Sequence, residues 1–344
     1  MAGSKFRVLM PEPFSPLAWA REALEGHAEL HLGSLERPFR EEEFPERVKG
    51  IDGILASARD PVTGAVLEAG ERLKVVSMIG RGVDTIDLAA ATKKGVLVTN
   101  TPGANAESVA ELVVGLMLSV LRRLPLAMAK LKEGVWRGGH LMGHELRGST
   151  VGIIGFGHVG SRVSLKLRGF EVRVLTYDPY IPRLTAERCG ARWVAELDEL
   201  LRESDILSLN PVLTEETYHM IGERELRLMK PGSFLINTSR GQVVDEGALL
   251  EALKEGHLGG AALDVFSLEP ASPDNPLFAL ENVFCTPHMG SQTYSAKRRL
   301  LDAAVENLLR ALRGSVPSFS NIVNPEVLEP RGAPQSIGEP APDG

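Results

Sequence analysis

Residues 151–160 read VGIIGFGHVG, a short apolar run that ends in Gly155, Gly157 and Gly160. This G-x-G-x-x-G spacing suits a strand that turns sharply into a helix around a pyrophosphate. Gly155 permits the tight turn, Gly157 lets the backbone approach the phosphates, and Gly160 lets the helix pack on the strand. The phosphates would rest on N–H groups at the helix start, near His158 and Val159. The next apolar strand ends in YDP, which places Asp178 to accept hydrogen bonds from the hydroxyls of an adenosine ribose. The spacing alone is a weak signal in a chain with 35 glycines, and a tight turn without a ligand is the alternative. Such a turn usually follows the first strand of its domain, yet here 150 residues precede it.

Those residues have a pattern of their own. FRVLM (6–10), IDGILAS (51–57), LKVVSMIG (73–80) and GVLVTNTP (95–102) read as short strands, with helical stretches such as 17–26 and 62–70 between them. Alternating strand and helix means a parallel sheet with crossovers, so the first hundred residues form a complete small α/β unit. A long apolar helix from about Ala106 to Leu121 follows, and then the linker-like stretch 131–149. The second series opens at VGIIG and continues through 171–178, 191–194, 205–210, 233–239, 259–266 and 282–288, seven strands suited to a doubly wound nucleotide-binding sheet. One amphipathic helix, Tyr294 to Arg313, comes after them. Residues 331–344 are rich in Pro and Gly and are expected to be a disordered tail.

Two domains are also what 344 residues lead one to expect. The net charge of −7 argues against a nucleic-acid partner. Cys189 and Cys285 are too few for a disulfide framework or a thiolate metal site, so no metal and a reducing cytoplasm are expected. The N-terminus lacks the apolar core of a signal peptide. The most apolar stretch, 108–121, is too short to span a bilayer and contains Glu111, so no membrane role is expected.

Three polar groups stand at the ends of the later strands. Arg240 follows SFLINTS, Glu269 follows AALDVFSL, and His288 lies in NVFCTPHMG. Ligands of an open parallel sheet bind beyond the carboxyl ends of its strands. Singly, each residue has a plain explanation: a surface charge, a cap before Pro270, a satisfied buried histidine. Together they match what hydride transfer to a 2-oxo acid requires. A guanidinium grips a carboxylate through two bonds and polarises the adjacent carbonyl. An imidazolium delivers the proton that accompanies hydride, and a neighbouring carboxylate orients it and favours its charged form.

The chain resembles the NAD-dependent D-isomer-specific 2-hydroxyacid dehydrogenases. The resemblance runs to about Glu329 and rests on GRGVDTIDLAAATKKGVLVTNTPGANAESVAEL (80–112), the GFGHVG turn, MKPGSFLINTSRGQVVDEGALLEAL (229–253), GAALDVFSLEP (260–270) and TPHMGS (286–291). It implies NAD as cofactor and Arg240, Glu269 and His288 as the catalytic set. It implies two Rossmann-like doubly wound parallel-sheet domains, with the substrate domain split in sequence. Residues 1–102 and 289–330 would form that flavodoxin-like substrate domain, and 103–288 the NAD-binding Rossmann domain inserted into it. The insertion would explain why the glycine turn comes in mid-chain. The resemblance further implies that the amides of Arg81 and Gly82 hold the substrate carboxylate, with Ser57 to Arg59 as the facing loop. Ser108 and Asp264 would lie near the nicotinamide carboxamide, Thr238 and Ser239 along the nicotinamide, and Asn210 and Pro211 near its ribose. It also implies a homodimer that uses the helix from Ala106 and the region of Trp136.

Two departures stand out. Asn210 occupies a position where many members have histidine, and Arg81 one where a smaller or uncharged residue is common. Arg81 either reaches an anionic distal group of the substrate or points to solvent. Glyoxylate, hydroxypyruvate, phosphohydroxypyruvate and pyruvate all share the carboxyl–carbonyl grip. Other readings on the same scaffold are a formate dehydrogenase, against which Glu269 argues, a phosphite dehydrogenase, and an NAD(H)-sensing corepressor-like binding protein.

Overall fold

In a computed structural model of the chain, residues 5–11, 17–33, 39–40 and 42–329 are described. The expected tail at 331–344 lies outside them. The chain divides into two compact units, Met1–Ala104 with Arg298–Gly344, and Asn105–Lys297.

The first unit is built on five strands: β1 Phe6–Met10, β2 Ala28–Leu32, β3 Gly53–Ala56, β4 Val75–Met78 and β5 Leu97–Thr99. Their order is β2-β1-β3-β4-β5 and every pairing is parallel, the flavodoxin-like winding. β3 and β4 are buried along their whole length, because helices cover both faces of a parallel sheet. The helix Tyr294–Leu312 contributes Leu301, Ala304, Val305 and Leu308 to the core beneath β1, β3 and β4. Each such leucine is worth about 1.5–3 kcal/mol of burial. A Cβ on Gly53 would stand 3.0 Å from the Leu308 side chain, so this strand residue has to be small. Past that helix, the Asn324 amide accepts from the Val98 amide and donates to the Val96 carbonyl, which ties the chain back onto β5.

β2 differs from expectation: no strand is anticipated at AELHL. It is an edge strand whose burial is only partial, so it carries alternating residues in place of an apolar run. The helix Leu124–Lys132 is likewise absent from the sequence expectation, which has a linker starting at Leu131. It buries only Leu126, and a helix with so little buried surface leaves no apolar stripe to read.

The second unit carries β6 Thr150–Ile154, β7 Arg173–Tyr177, β8 Arg192–Trp193, β9 Ile206–Leu209, β10 Ser233–Asn237, β11 Leu258–Leu263 and β12 Val283–Cys285. They lie in the order β12-β11-β10-β9-β6-β7-β8, again all parallel. The chain winds outward from β6 on one side through β7 and returns on the other through β9. The direction therefore reverses at β6, and a crevice opens beyond the carboxyl ends of β6 and β9. The helix Ala106–Leu121 lies buried along one face through Val109, Val113, Leu116, Met117 and Val120.

Candidate active site

The glycine turn occupies that reversal point. Gly155 has φ +79°, and a Cβ there would lie 2.6 Å from the Pro211 nitrogen and 2.7 Å from the Asn210 carbonyl carbon. A side chain is therefore excluded both by the backbone conformation and by the segment after β9. A Cβ on Gly160 would meet the Gly155 carbonyl oxygen at 2.2 Å, so the helix His158–Leu167 packs directly on the turn. Among the described residues, no atom beyond its own chain neighbours stands within 4 Å of a Cβ built on Gly157, so the approach to the helix start is open. Asp178, just past β7, accepts from the Phe156 amide at 2.7 Å and the Tyr180 amide at 2.9 Å, one on each carboxylate oxygen. A carboxylate has about four acceptor positions, so two amides leave capacity for ribose hydroxyls.

Among the described residues, two buried atoms just past β9 and β10 lack a hydrogen-bond partner: Oδ1 of Asn210 and Oγ1 of Thr238. A buried acceptor without a partner costs about 1–3 kcal/mol. Both belong to residues expected along the nicotinamide half of a dinucleotide. Together with the open cradle at Gly157, they fit a polar ligand such as NAD. Ser239 behaves otherwise, since its amide and hydroxyl both donate to Oδ1 of Asn237, at 3.0 and 2.9 Å. Ser108 donates at 2.7 Å to the Gly290 carbonyl. Asp264 accepts from the Thr286 hydroxyl and the amides of Met289 and Gly290, at 2.5, 2.8 and 2.9 Å. Burial pushes its carboxyl upward, partly countered by those three bonds and the His288 charge.

β11 and β12 are parallel neighbours, so the residues after them emerge side by side. Nδ1 of His288 meets Oε2 of Glu269 at 2.6 Å. The other Glu269 oxygen accepts from the Phe266 amide at 3.1 Å. Capping a turn and partnering the histidine, alternatives in the sequence, thus coexist in one carboxylate. Burial raises the Glu269 carboxyl, but the hydrogen bond and charge of His288, the Phe266 amide and the Arg240 charge outweigh it and leave it below its ordinary value. The His288 side chain is 45% exposed, so it is not a satisfied core histidine. Its backbone has φ +49°, unusual for a residue with a side chain, and its amide is held by the Asp264 carbonyl at 2.8 Å. With Nδ1 committed to Glu269, Nε2 is the nitrogen left to exchange a proton with a ligand.

Arg240 follows β10, its guanidinium donating to the Ser239 carbonyl at 2.8 Å. The next residue is Gly241, where a Cβ would fall 1.8 Å from the Phe266 carbonyl carbon. The turn carrying Arg240 is therefore pressed against the loop that leads to Glu269. One unit thus brings an arginine, a glutamate and a histidine to the same edge as the glycine turn.

Residues 114–290 match the family described as D-isomer specific 2-hydroxyacid dehydrogenase, NAD binding domain. The chain belongs to this family. It is an NAD-dependent D-2-hydroxyacid dehydrogenase, with NAD as its cofactor. A glyoxylate reductase of Korarchaeum cryptofilum is 42% identical over 312 residues, 90% of this chain and 93% of that protein. A D-3-phosphoglycerate dehydrogenase of Methanocaldococcus jannaschii is 43% identical over 82% of this chain, which spans only 53% of that longer protein. Among solved structures, D-lactate dehydrogenase from Aquifex aeolicus, complexed with NAD and lactic acid, is 31% identical with a TM-score of 0.81, covering 92% of this chain and 99% of that one.

In the first unit, the loop after β4 is pinned from below. Thr101 holds the Gly80 carbonyl through its amide and hydroxyl, and the Asn100 side chain donates to the Arg81 carbonyl at 2.8 Å. The loop after β3 is closed by Asp60, which is wholly buried and accepts from the Ser57 amide at 2.7 Å. The Ser57 hydroxyl in turn accepts from the Arg59 amide at 3.2 Å. Burial pushes the Asp60 carboxyl up to about 6, against the Ser57 hydrogen bonds and the Arg59 charge. A carboxyl that holds its proton more tightly folded than unfolded penalises the folded state as pH rises from its ordinary value through about 6. Asp60→Asn should therefore gain stability relative to the native protein over that window, by about 3 kcal/mol at most. Denaturant unfolding of both proteins from about pH 4 to about pH 7 checks this, and a constant difference contradicts it.

Proposed function

We propose that this dehydrogenase reduces a small 2-oxo acid of the glyoxylate–hydroxypyruvate type to the D-2-hydroxy acid, with Arg240, Glu269 and His288 as its catalytic set. The observation that carries the proposal is the 2.6 Å Glu269–His288 pair on the strand edge that also holds Arg240 and the glycine turn. When bound, NADH supplies the hydride. Arg240 grips the substrate carboxylate and polarises the carbonyl, His288 Nε2 delivers a proton to the carbonyl oxygen, and Glu269 holds the imidazole in orientation through Nδ1. We assign substrate contact also to Ser57, Arg59, Arg81 and Gly82, on the strength of the resemblance. The near full-length match to a glyoxylate reductase supports the small substrate. NADH oxidation with glyoxylate, hydroxypyruvate, phosphohydroxypyruvate and pyruvate tests it. Turnover is expected to be fastest with the first two, whereas turnover with none of the four contradicts the proposal and favours a binding protein.

Asp178 would repel a 2′-phosphate, and Pro179 and Tyr180 offer no cation to receive one. NADH is expected to exceed NADPH by more than about tenfold in kcat/KM, the equivalent of about 1.4 kcal/mol. Equal efficiency with NADPH removes Asp178 from this role.

A cytoplasmic homodimer completes the proposal. Most of the apolar side of Ala106–Leu121 is already buried within its unit. The next segment instead exposes Leu124, Met128, Leu131, Trp136 and Met142, each by 47% or more. A second copy covering this patch would remove an apolar surface of the kind monomers rarely display. Light scattering at micromolar concentration should report twice the chain mass, shifting to the chain mass in Met128→Glu. A monomeric native protein contradicts it.

A further inference from the structure

Asn237, the last residue of β10, makes three side-chain hydrogen bonds in the turn that carries Arg240. It is 1% exposed. Its Oδ1 accepts from both the amide and the hydroxyl of Ser239, and its Nδ2 donates to the Arg240 carbonyl at 2.9 Å. The Ser239 carbonyl, between those contacts, receives the Arg240 guanidinium at 2.8 Å. One buried amide therefore holds the peptide group that enters Ser239 and the one that leaves Arg240, while the peptide between the two residues is held by the guanidinium itself. Gly241 jammed on Phe266 fixes the next one. The side chain of Asn237 offers two acceptor and two donor positions, and three of the four are used inside this turn. Its backbone carbonyl also accepts from the Asp264 amide, and the Asp264 carbonyl accepts from the His288 amide, so the same residue ends at the root of both catalytic branches.

We propose that Asn237 is a positioning residue for substrate reduction, its side-chain amide setting the direction in which Arg240 presents its planar fork. The inference rests on the assignment of Arg240 as the substrate grip. A fork that binds carboxylate and carbonyl together depends on angle as well as distance, and a small rotation of its attachment point costs the second bond. An ammonium in its place is a point charge on a flexible stem and gains little from such direction.

That difference supplies the test. Asn237→Ala and Asn237→Ser are made in the native chain and in Arg240→Lys, with kcat/KM for glyoxylate, NADH affinity by fluorescence, and Tm read for each. In the native background, Asn237→Ala should lower kcat/KM by about 10- to 100-fold, with Asn237→Ser intermediate and NADH affinity within about threefold. In the Arg240→Lys background the same substitutions should cost less than about threefold further, because there is no fork left to aim. The serine variant keeps a buried hydroxyl and carries the comparison where alanine lowers Tm too far for assay. Losses that multiply across the two backgrounds, or NADH affinity that falls in step with kcat/KM, overturn the positioning role and leave Asn237 a support of the fold. A loss below tenfold in Arg240→Lys alone overturns both the inference and the assignment beneath it.

Discussion

Replacing His288 with alanine is expected to lower both 2-oxo acid reduction and 2-hydroxy acid oxidation by about 10³-fold or more, at the upper end of what a positioned acid–base group contributes. Nucleotide affinity should change little, because the glycine turn and Asp178 stand on other strand ends. The two directions need opposite forms of the ring: reduction needs the imidazolium, and oxidation needs the neutral imidazole as base. Their rates in the native enzyme should therefore depend oppositely on pH, reduction falling and oxidation rising over one range. Glu269 is the charged neighbour of that ring. Its carboxyl sits below its ordinary value, with the His288 bond and charge outweighing burial, so the carboxylate stays ionised well into acid and keeps favouring the imidazolium. Glu269→Gln preserves shape and removes charge, so the fall in reduction should move to lower pH. An unmoved profile in a folded Glu269→Gln enzyme, with the amide still capping Phe266, would leave the cap as the carboxylate's sole role.

Arg240→Lys should lower kcat/KM by about 10²-fold or more, roughly 2.7 kcal/mol of transition-state stabilisation. Lysine keeps the positive charge that acts on Glu269, so the pH range of the Glu269–His288 pair should stay in place while the rate falls. That combination separates loss of the planar fork from loss of charge. A folded variant retaining about a tenth of native activity would remove Arg240 from the grip on the substrate.

The two-unit plan was legible because parallel strands covered on both faces read as near-continuous apolar runs. VVSM and ILSL show this, and every residue of both is buried. AELHL lies at an edge, half wetted, and its polar residues hid the strand. The helix Leu124–Lys132 was hidden for the converse reason, since its apolar residues remain exposed and so mark no buried stripe. The glycine turn could be read from its spacing, since Gly155 has the positive φ of a tight turn and Gly160 packs on the strand end at Gly155 and Ile153, whereas the crowding of Gly155 by Asn210 and Pro211 had no signal in the sequence.

Within the site, residue types at strand ends and the partnership of Glu269 with His288 could be expected, whereas the backbone groups that hold them could not. Glu269 and His288 are 19 apart in sequence, and only the adjacency of β11 and β12 brings them to 2.6 Å. The double use of the Glu269 carboxylate follows from the course of the loop back to Phe266, which no spacing rule contains. Asn237 escaped notice because an asparagine near the end of an apolar strand reads as the approach to an ordinary turn. Its signal was burial, which becomes visible only once β9 and β11 flank it.

The central claim is that hydride delivered from the glycine-turn side and a proton from His288 meet on one 2-oxo acid. It is tested most directly by following the fate of deuterium from NADH deuterated at its transferable position, with hydroxypyruvate as acceptor, in the native enzyme and in His288→Ala. The account predicts glycerate of the D-configuration with deuterium at C2 from the native enzyme, and almost none from the variant despite retained NADH binding. Glycerate of the L-configuration, or equal deuterium transfer by both proteins, would contradict it.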